Sequence, residues 1–136
     1  SIGKKDVDGA LLGTTPVLVY TDLPDSNPLK PVISKFAALY EKRFNVAKVD
    51  IFPGQSWDAG NVAIKAAADA VKAGAKLDDV DASRAAIRDK IENGIKEFVG
   101  VGGIFNYSPT DHLGLDARST FISVVKNDEF RLYDAK

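Results

Sequence analysis

Two amphipathic helical segments follow one another between residues 56 and 94, with little strand-forming sequence beside them. The first begins at Ser56 as its N-cap and stops near Gly74, and the second runs from Asp81 to Gly94. One face of the first segment is formed by residues at helical spacing: Trp57, Gly60, Asn61, Ile64, Ala67, Ala68 and Val71. Such a face needs a neighbouring layer. We therefore expect both helices to cover strands that another stretch of polypeptide supplies.

The first third of the chain predicts one strand region and one helix. Residues 7–20 contain two apolar runs around a Gly-Thr-Thr-Pro break, which indicates a buried parallel strand. Pro28 suits the first helical position, and we expect that helix to end near Asn45. The helix carries one apolar stripe, made of Leu29, Val32, Ile33, Phe36, Leu39, Tyr40 and Phe44.

The remaining segments predict a connector, a strand and a hairpin. Residues 46–55 are expected to form a connector, because they contain the Pro53-Gly54 pair. Residues 102–108 predict a strand, and residues 120–126 and 129–133 alternate in hydrophobicity as the arms of a β-hairpin do. The fold class is α/β, but the regular β-α alternation of a complete doubly wound sheet is missing.

Composition limits the function classes. The net charge of -1 offers no basic surplus for non-specific nucleic-acid binding, and no nucleic-acid partner is expected. The chain contains no cysteine, so thiol catalysis, disulfides and cysteine-based metal sites are excluded. It also contains no methionine and shows no signal peptide, from which we expect a processed or truncated chain.

Several separated motifs resemble one protein family. The run VGGIFNYSPTDHLGLD at residues 101–116 is similar to the C-terminal signature of type I periplasmic solute-binding proteins. These are the Leu/Ile/Val-binding proteins of ABC transporters and their aromatic-acid-binding relatives. The runs DVDGALL at 6–12, PVLV at 16–19, LPDSNP at 23–28 and SWDA at 56–59 also resemble that family. The resemblance therefore spans nearly the whole chain.

The resemblance implies part of a larger fold, truncated here. Family members are more than twice as long and have two Rossmann-like lobes joined by three crossing segments, with the solute between the lobes. Residues 1–49 would belong to the second lobe, and residues 50–110 to the first lobe. Residues 111–136 would form a hinge loop and a second-lobe β-hairpin. Two of the three crossings would lie near residues 49–55 and 108–117.

The same resemblance implies a binding function and no catalysis. We expect a periplasmic solute-binding component of an ABC importer, with branched-chain amino acids, related amides or aromatic acids as the solute. The implied partners are that solute, the ABC permease and the missing N-terminal part of the same protein, and the fragment is expected to self-associate through its uncovered helix faces. No cofactor and no metal are expected. A ligand-sensing receptor or regulatory domain of the same fold is the alternative.

Three residues are candidate solute contacts. Trp57 stands at a position where the family places an aromatic residue at the edge of the interlobe cleft, although a hinge-packing role is the competing interpretation. Asp58 follows it and is placed to stabilise the first turn of its helix or to contact a solute ammonium. Thr15 follows the predicted strand, where ligands meet open α/β sheets, but its hydroxyl could equally serve the loop.

Asp111 and His112 permit a further, catalytic interpretation. A carboxylate can orient an imidazole for acid-base chemistry, which an α/β enzyme would use. His112 is the only histidine, and no serine or cysteine nucleophile stands in a recognisable motif. In the family this pair belongs to a structural turn near the hinge, which is the role we expect.

Overall fold

The computed structural model describes residues 4–76 and 78–134. Within them lie three helices and five strands, and short 3-10 turns occur at Lys4–Val7, Pro16–Leu18, Tyr20–Asp22 and Ala117–Ser119. The helices are α1 Leu29–Phe44, α2 Ile51–Lys72 and α3 Val80–Gly94. The strands are β1 Leu11–Thr14, β2 Phe98–Val99, β3 Ile104–Phe105, β4 Phe121–Lys126 and β5 Glu129–Leu132.

The strands form two antiparallel sheets. The larger has the order β1-β4-β5, with Leu11 opposite Val124, and the smaller pairs β2 with β3. The predicted C-terminal hairpin is confirmed, because β4 and β5 pair directly. Its turn residues Asn127 and Asp128 have φ angles of 52° and 67°, as a two-residue type I′ turn requires.

The prediction of a buried parallel strand in residues 7–20 is wrong for most of that segment. Only β1 is extended, it pairs antiparallel with β4, and Leu11 and Leu12 are exposed. Pro16 has a restricted φ and no N–H to give to a ladder, so the chain turns into 3-10 geometry there. The loop nevertheless buries Val17 and Val19.

Helix α1 confirms the predicted helix and part of its apolar stripe, but Leu39 is 51% exposed and Phe44 is 60% exposed. The Asn27 side chain accepts a hydrogen bond from the Leu29 N–H at 3.0 Å, close to the predicted start. Asn45 ends the helix in the left-handed region at a φ of 52°. The core-facing residues of the helix are Leu29, Ile33, Phe36 and Ala37.

The predicted starts of α2 and α3 are both wrong. Helix α2 begins at Ile51, inside the expected connector, and its N-cap is Asp50 instead of Ser56. The Pro-Gly pair lies near the helix start, where the missing proline N–H is one of the amides that has no intrahelical acceptor. Helix α3 is capped by Asp79, whose carboxylate accepts the Ala82 N–H at 3.0 Å, and not by Asp81.

The strand predicted over residues 102–108 is much shorter in the structure. Only Ile104–Phe105 pairs as a strand, opposite β2. Beyond it the Asn106 N–H donates to the Gly114 carbonyl, and the Tyr107 N–H donates to the Ile95 carbonyl. The segment therefore leaves the sheet and forms a loop whose amides are bonded to distant carbonyls.

Helix α2 has two opposed faces of low polarity, and the described chain covers only one of them. The covered face packs inward through Gly54, Asp58, Val62, Ala66 and Ala70. On the opposite face Ile64 is 71% exposed and Val71 is 48% exposed. A helix that is apolar on both sides is typical of a buried helix. The expected exposure of the Trp57 helix stripe is therefore present in the structure.

A matched pair of glycine substitutions tests the packing of the β2–β3 turn. A Cβ on Gly103 would lie 2.4 Å from Ser119 Cβ, so we expect Gly103→Ala to lower the free energy of unfolding by about 1–3 kcal/mol. A Cβ on Gly60, inside α2, meets nothing within 4 Å, so Gly60→Ala should raise it by about 0.5–1 kcal/mol. Urea denaturation measures both, and equal effects would contradict this packing.

Candidate functional site

A groove lies between α1, α2 and β2. Its volume is about 420 Å³, within the range of small-molecule sites. Its wall is mainly apolar, with few polar groups. The lining residues are Pro31, Val32, Lys35, Phe36, Trp57, Asp58, Asn61, Phe98, Val99 and Gly100. Two helices from the first half of the chain and a strand from the second half thus meet at one concave surface.

Trp57 lies on one wall of this groove. Because α2 begins at Ile51, the indole stands in the second turn of the helix and not in the first turn, as the sequence had predicted. Its ring centroid lies 5.4 Å from that of Phe36 on α1, at an interplanar angle of 42°. The side chain is still 44% exposed. It therefore packs between the two helices and keeps a free surface on the groove side.

Asp58 is almost entirely buried, with 3% exposure. One carboxylate oxygen accepts the Val101 N–H at 2.8 Å and the other accepts the Gly102 N–H at 2.6 Å. A Cβ on Gly100 would lie 2.7 Å from this carboxylate, so glycine is needed there. The carboxylate fixes the turn after β2, and it does not cap α2 as the sequence had suggested.

Burial raises the pKa of the Asp58 carboxyl above its ordinary value of 3.8, and the two backbone hydrogen bonds oppose that rise. Both oxygens are already engaged by amides. Direct contact of Asp58 with a solute remains a prediction that this geometry does not test.

Thr15 lies apart from the groove. It is not among the lining residues, and its buried hydroxyl oxygen has no hydrogen-bond partner in the part of the chain that the structure describes. The structure thus brings Trp57 and Asp58 together and leaves Thr15 elsewhere. Their roles as solute contacts stay predictions.

Asp111 and His112 do not form a catalytic pair in this geometry. One oxygen of Asp111 accepts the N–H groups of Leu113 and Gly114, each at 3.0 Å. The His112 Nε2 lies 3.2 Å from a carboxylate oxygen of Glu92 on α3. The Asp111 side chain therefore stabilises its own turn, and the His112 side chain contacts α3.

Sequence reasoning missed most of the groove residues, Lys35 and Phe98 among them. Lys35 lies off the apolar stripe predicted for α1, and Phe98 precedes the strand predicted over residues 102–108. Nothing local marks either residue, because the groove forms only when α1, α2 and β2 meet. Phe98 does stand two residues before Gly100, which is a weak signal of a strand entering a tight turn.

Two negative findings concern the described residues 4–76 and 78–134. None of their helices combines the length and hydropathy needed to cross a membrane. Among the same residues, no three histidine, cysteine, aspartate or glutamate side chains are grouped as a metal site would require.

Several solved structures share this fold. An extracellular ligand-binding receptor from Rhodopseudomonas palustris HaA2 is 32% identical, with a TM-score of 0.85 over 97% of this chain and 36% of that chain. A second such receptor from the same strain is 28% identical, with a TM-score of 0.79 over 96% of this chain and 36% of that chain. A candidate branched-chain amino acid ABC transporter from Rhodospirillum rubrum is 23% identical, with a TM-score of 0.65 over 97% and 32%, which shows a common fold alone.

These likenesses confirm the predicted fold class and the family resemblance. The chain spans about a third of the length of the solved chains it matches, with the mixed helix and sheet architecture of type I periplasmic binding proteins. The neighbours are described as ligand-binding receptors and not as enzymes. No protein-family model matches the sequence, and no curated protein matches it.

Removing the Asp58 carboxylate tests its role at the turn after β2. Asp58→Ala leaves the Val101 and Gly102 N–H groups unpaired, so we expect the free energy of unfolding to fall by about 2–4 kcal/mol. Asp89→Ala, which removes an exposed partner of Arg88, should cost less than about 1 kcal/mol. Chemical denaturation at neutral pH compares them, and a small loss for Asp58→Ala would contradict the assigned role.

The raised pKa of Asp58 predicts that the contribution of this carboxyl to the free energy of unfolding decreases as pH rises. The folded protein binds the Asp58 proton more readily than the unfolded chain does, so this group stabilises the fold fully below pH 3.8. That contribution is lost as pH rises through the raised pKa. The difference in unfolding free energy between the native protein and Asp58→Asn should therefore decrease with rising pH. Urea denaturation at several pH values measures it, and an increase would refute the prediction.

Proposed function

From the fold shared with about a third of each extracellular ligand-binding receptor, we propose that the chain contributes to a periplasmic solute-binding protein of an ABC importer. The observation that carries this proposal is the match to the receptor from Rhodopseudomonas palustris HaA2, at 32% identity over 97% of the chain. The protein would bind a small solute and pass it to the membrane permease, with no chemical step.

The proposed solute is a branched-chain amino acid, a related amide or an aromatic acid. The candidate branched-chain amino acid ABC transporter from Rhodospirillum rubrum supports the first of these by fold alone. The groove beside Trp57 supports a solute with an apolar body, because rings and aliphatic side chains form most of its wall.

The pairing of the strands supports the proposed division of the chain. Strand β1 from residues 1–49 and the hairpin from residues 111–136 pair in one sheet, which we assign to the second lobe. Helices α2 and α3 and the β2–β3 pair come from residues 50–110, which we assign to the first lobe. Residues 49–55 and 108–117 would then be hinge crossings.

A ligand-sensing receptor or regulatory domain is the second candidate function. The solved neighbours from Rhodopseudomonas palustris HaA2 are themselves extracellular ligand-binding receptors, which favours this candidate. Both candidates require solute binding, and they differ in what the closed form contacts. An enzyme using Asp111 and His112 receives no support from the geometry, since each side chain bonds to a different part of the loop or helix.

The uncovered face of α2 is evidence that a further layer of polypeptide packs against this helix. Ile64 and Val71 are exposed there, and the solved chains with this fold are almost three times as long. We propose that polypeptide corresponding to the preceding part of those receptors covers this face. In its absence, the chain would self-associate through the same surface.

A pair of lysine substitutions separates the two faces of α2. Ile64→Lys should change the free energy of unfolding by less than about 0.5 kcal/mol and reduce self-association, because Ile64 is 71% exposed. Val62→Lys, at a position 5% exposed, should prevent folding, since it buries an unpaired charge. Sedimentation velocity and circular dichroism measure both. Unchanged self-association of Ile64→Lys would contradict the proposed surface.

A thermal-shift panel tests the proposed binding function. Branched-chain amino acids, their amides and aromatic carboxylates are each added to the full-length protein that contains this chain, and a bound solute should raise the midpoint of unfolding with increasing concentration. Sugars and nucleotides serve as unmatched controls. Stabilisation by none of the three solute classes, or only by the controls, would reject the proposal.

A further inference from the structure

Four polar side chains form a connected cluster where the chain leaves the β2–β3 pair towards β4. The Arg118 guanidinium donates to both oxygens of Glu97, at 2.8 and 2.9 Å, and to both oxygens of Asp116, at 2.6 and 3.0 Å. The Asn106 amide also donates to Glu97, at 2.9 Å. One cation therefore joins a carboxylate that precedes β2 to a carboxylate that follows β3.

Glu97 holds a backbone conformation that favours glycine. Its φ is 48°, in the left-handed region, which costs free energy for a residue with a side chain. Its N–H donates to the Asn106 side-chain oxygen at 2.9 Å, so the two residues bond reciprocally. These bonds and the pair with Arg118 offset the strain. A strained residue that several side-chain bonds hold in place is a reason to look for a functional role.

The geometry and the charges of the cluster both favour rigidity. Isolated ion pairs on a protein surface contribute little, but forked arginine–carboxylate pairs that share one cation are stronger. Hydrogen bonds from Arg118 hold the pKa of the Glu97 carboxyl and the pKa of the Asp116 carboxyl below their ordinary values. Both carboxylates are therefore ionised at neutral pH, where the cluster stays intact.

The residue that follows the cluster is fastened to the same pair of strands. Ser119 is 5% exposed, and its hydroxyl accepts the Ile104 N–H at 3.0 Å. Thr120, by contrast, is exposed, and its N–H lies 3.4 Å from the Ala117 carbonyl oxygen. Residues 116–119 are thus attached to the β2–β3 pair at two points, and Ser119 is the second of them.

We propose that Arg118 is a positioning residue for the closing motion of a solute-binding protein. It clamps residues 116–119 to the β2–β3 pair, so the bend of this crossing lies C-terminal to Ser119, just beyond residues 108–117. The inference rests on the proposed solute-binding function and on the proposed division into lobes. A rigid crossing restricts the open arrangements of the lobes, so less conformational entropy is lost when they close on a solute.

Spin labels on the two sides of the bend test this role in the full-length protein that contains this chain, without any solute. The labels are attached through Lys72→Cys, at the end of α2, and Lys126→Cys, at the end of β4. Pulsed electron paramagnetic resonance measures the spread of distances between them. We expect Arg118→Met to widen this spread about twofold, because residues 116–119 then become free to bend as well.

Two further arginine variants serve as comparisons. Arg131 makes a similarly forked pair with Asp22, at 2.6 and 2.7 Å, but both residues lie in the proposed second lobe. Arg131→Met is therefore the matched control and should leave the spread of distances unchanged. Arg118→Lys keeps the positive charge without the planar fork, so it should widen the spread as Arg118→Met does.

Glu97→Gly separates positioning from stability. Glycine adopts a φ of 48° without strain, so the midpoint of unfolding should change little, although the clamp loses one of its two carboxylates. We expect the spread of distances in Glu97→Gly to widen as it does in Arg118→Met.

An unchanged spread in Arg118→Met and Glu97→Gly, or an equal widening in Arg131→Met, would overturn the inference. A lower midpoint of unfolding for Arg118→Met together with an unchanged spread would also overturn it, because Arg118 would then only stabilise the fold. Neither measurement uses a solute. The proposed binding function is therefore tested separately by the thermal-shift panel, whatever the outcome for Arg118.

Discussion

The two hydrogen bonds that Asp58 accepts from the Val101 and Gly102 amides connect α2 to the turn between β2 and β3. This buried carboxylate has no cation beside it among its hydrogen-bond partners, so backbone amides alone offset the cost of its burial. The same turn inserts Val101 into the main core, and its Gly100 lines the groove. The core and the groove therefore depend on one side chain–backbone contact.

The sequence predicted those elements whose local signals agree with their tertiary contacts. Helix α1 with most of its stripe, and the Asn127–Asp128 hairpin, were predicted because periodicity and turn chemistry each suffice there. The start of α2 was missed because Pro53 was interpreted as a break, although proline is tolerated at the beginning of a helix. Residues 16–19 were predicted as a strand from their hydrophobicity, which reports burial and does not distinguish a strand from a buried 3-10 turn.

The candidate site was predictable only in part, for a physical reason. Trp57 and Asp58 are neighbours in the sequence, so one motif found both, but the burial of Asp58 against an amide pair more than 40 residues away carries no local signal. Lys35 and Phe98 reach the groove through tertiary packing between α1, α2 and β2. The order of the elements was more informative. Two consecutive helices with few strands beside them predicted an uncovered helix face, and α2 has one.

The sheet β1-β4-β5 joins the two ends of the chain, as the hydrogen bond from Ser123 to the Leu12 carbonyl across 111 residues shows. Contacts between residues so far apart in the sequence form slowly, because closing the long loop costs entropy before the contacts contribute any stabilisation. During synthesis, β1 leaves the ribosome well before its partner β4 exists, while the helices between them can already form. Strand β1, with its two exposed leucines, therefore stays unpaired during synthesis until β4 has been made. A chaperone would have most reason to protect this strand.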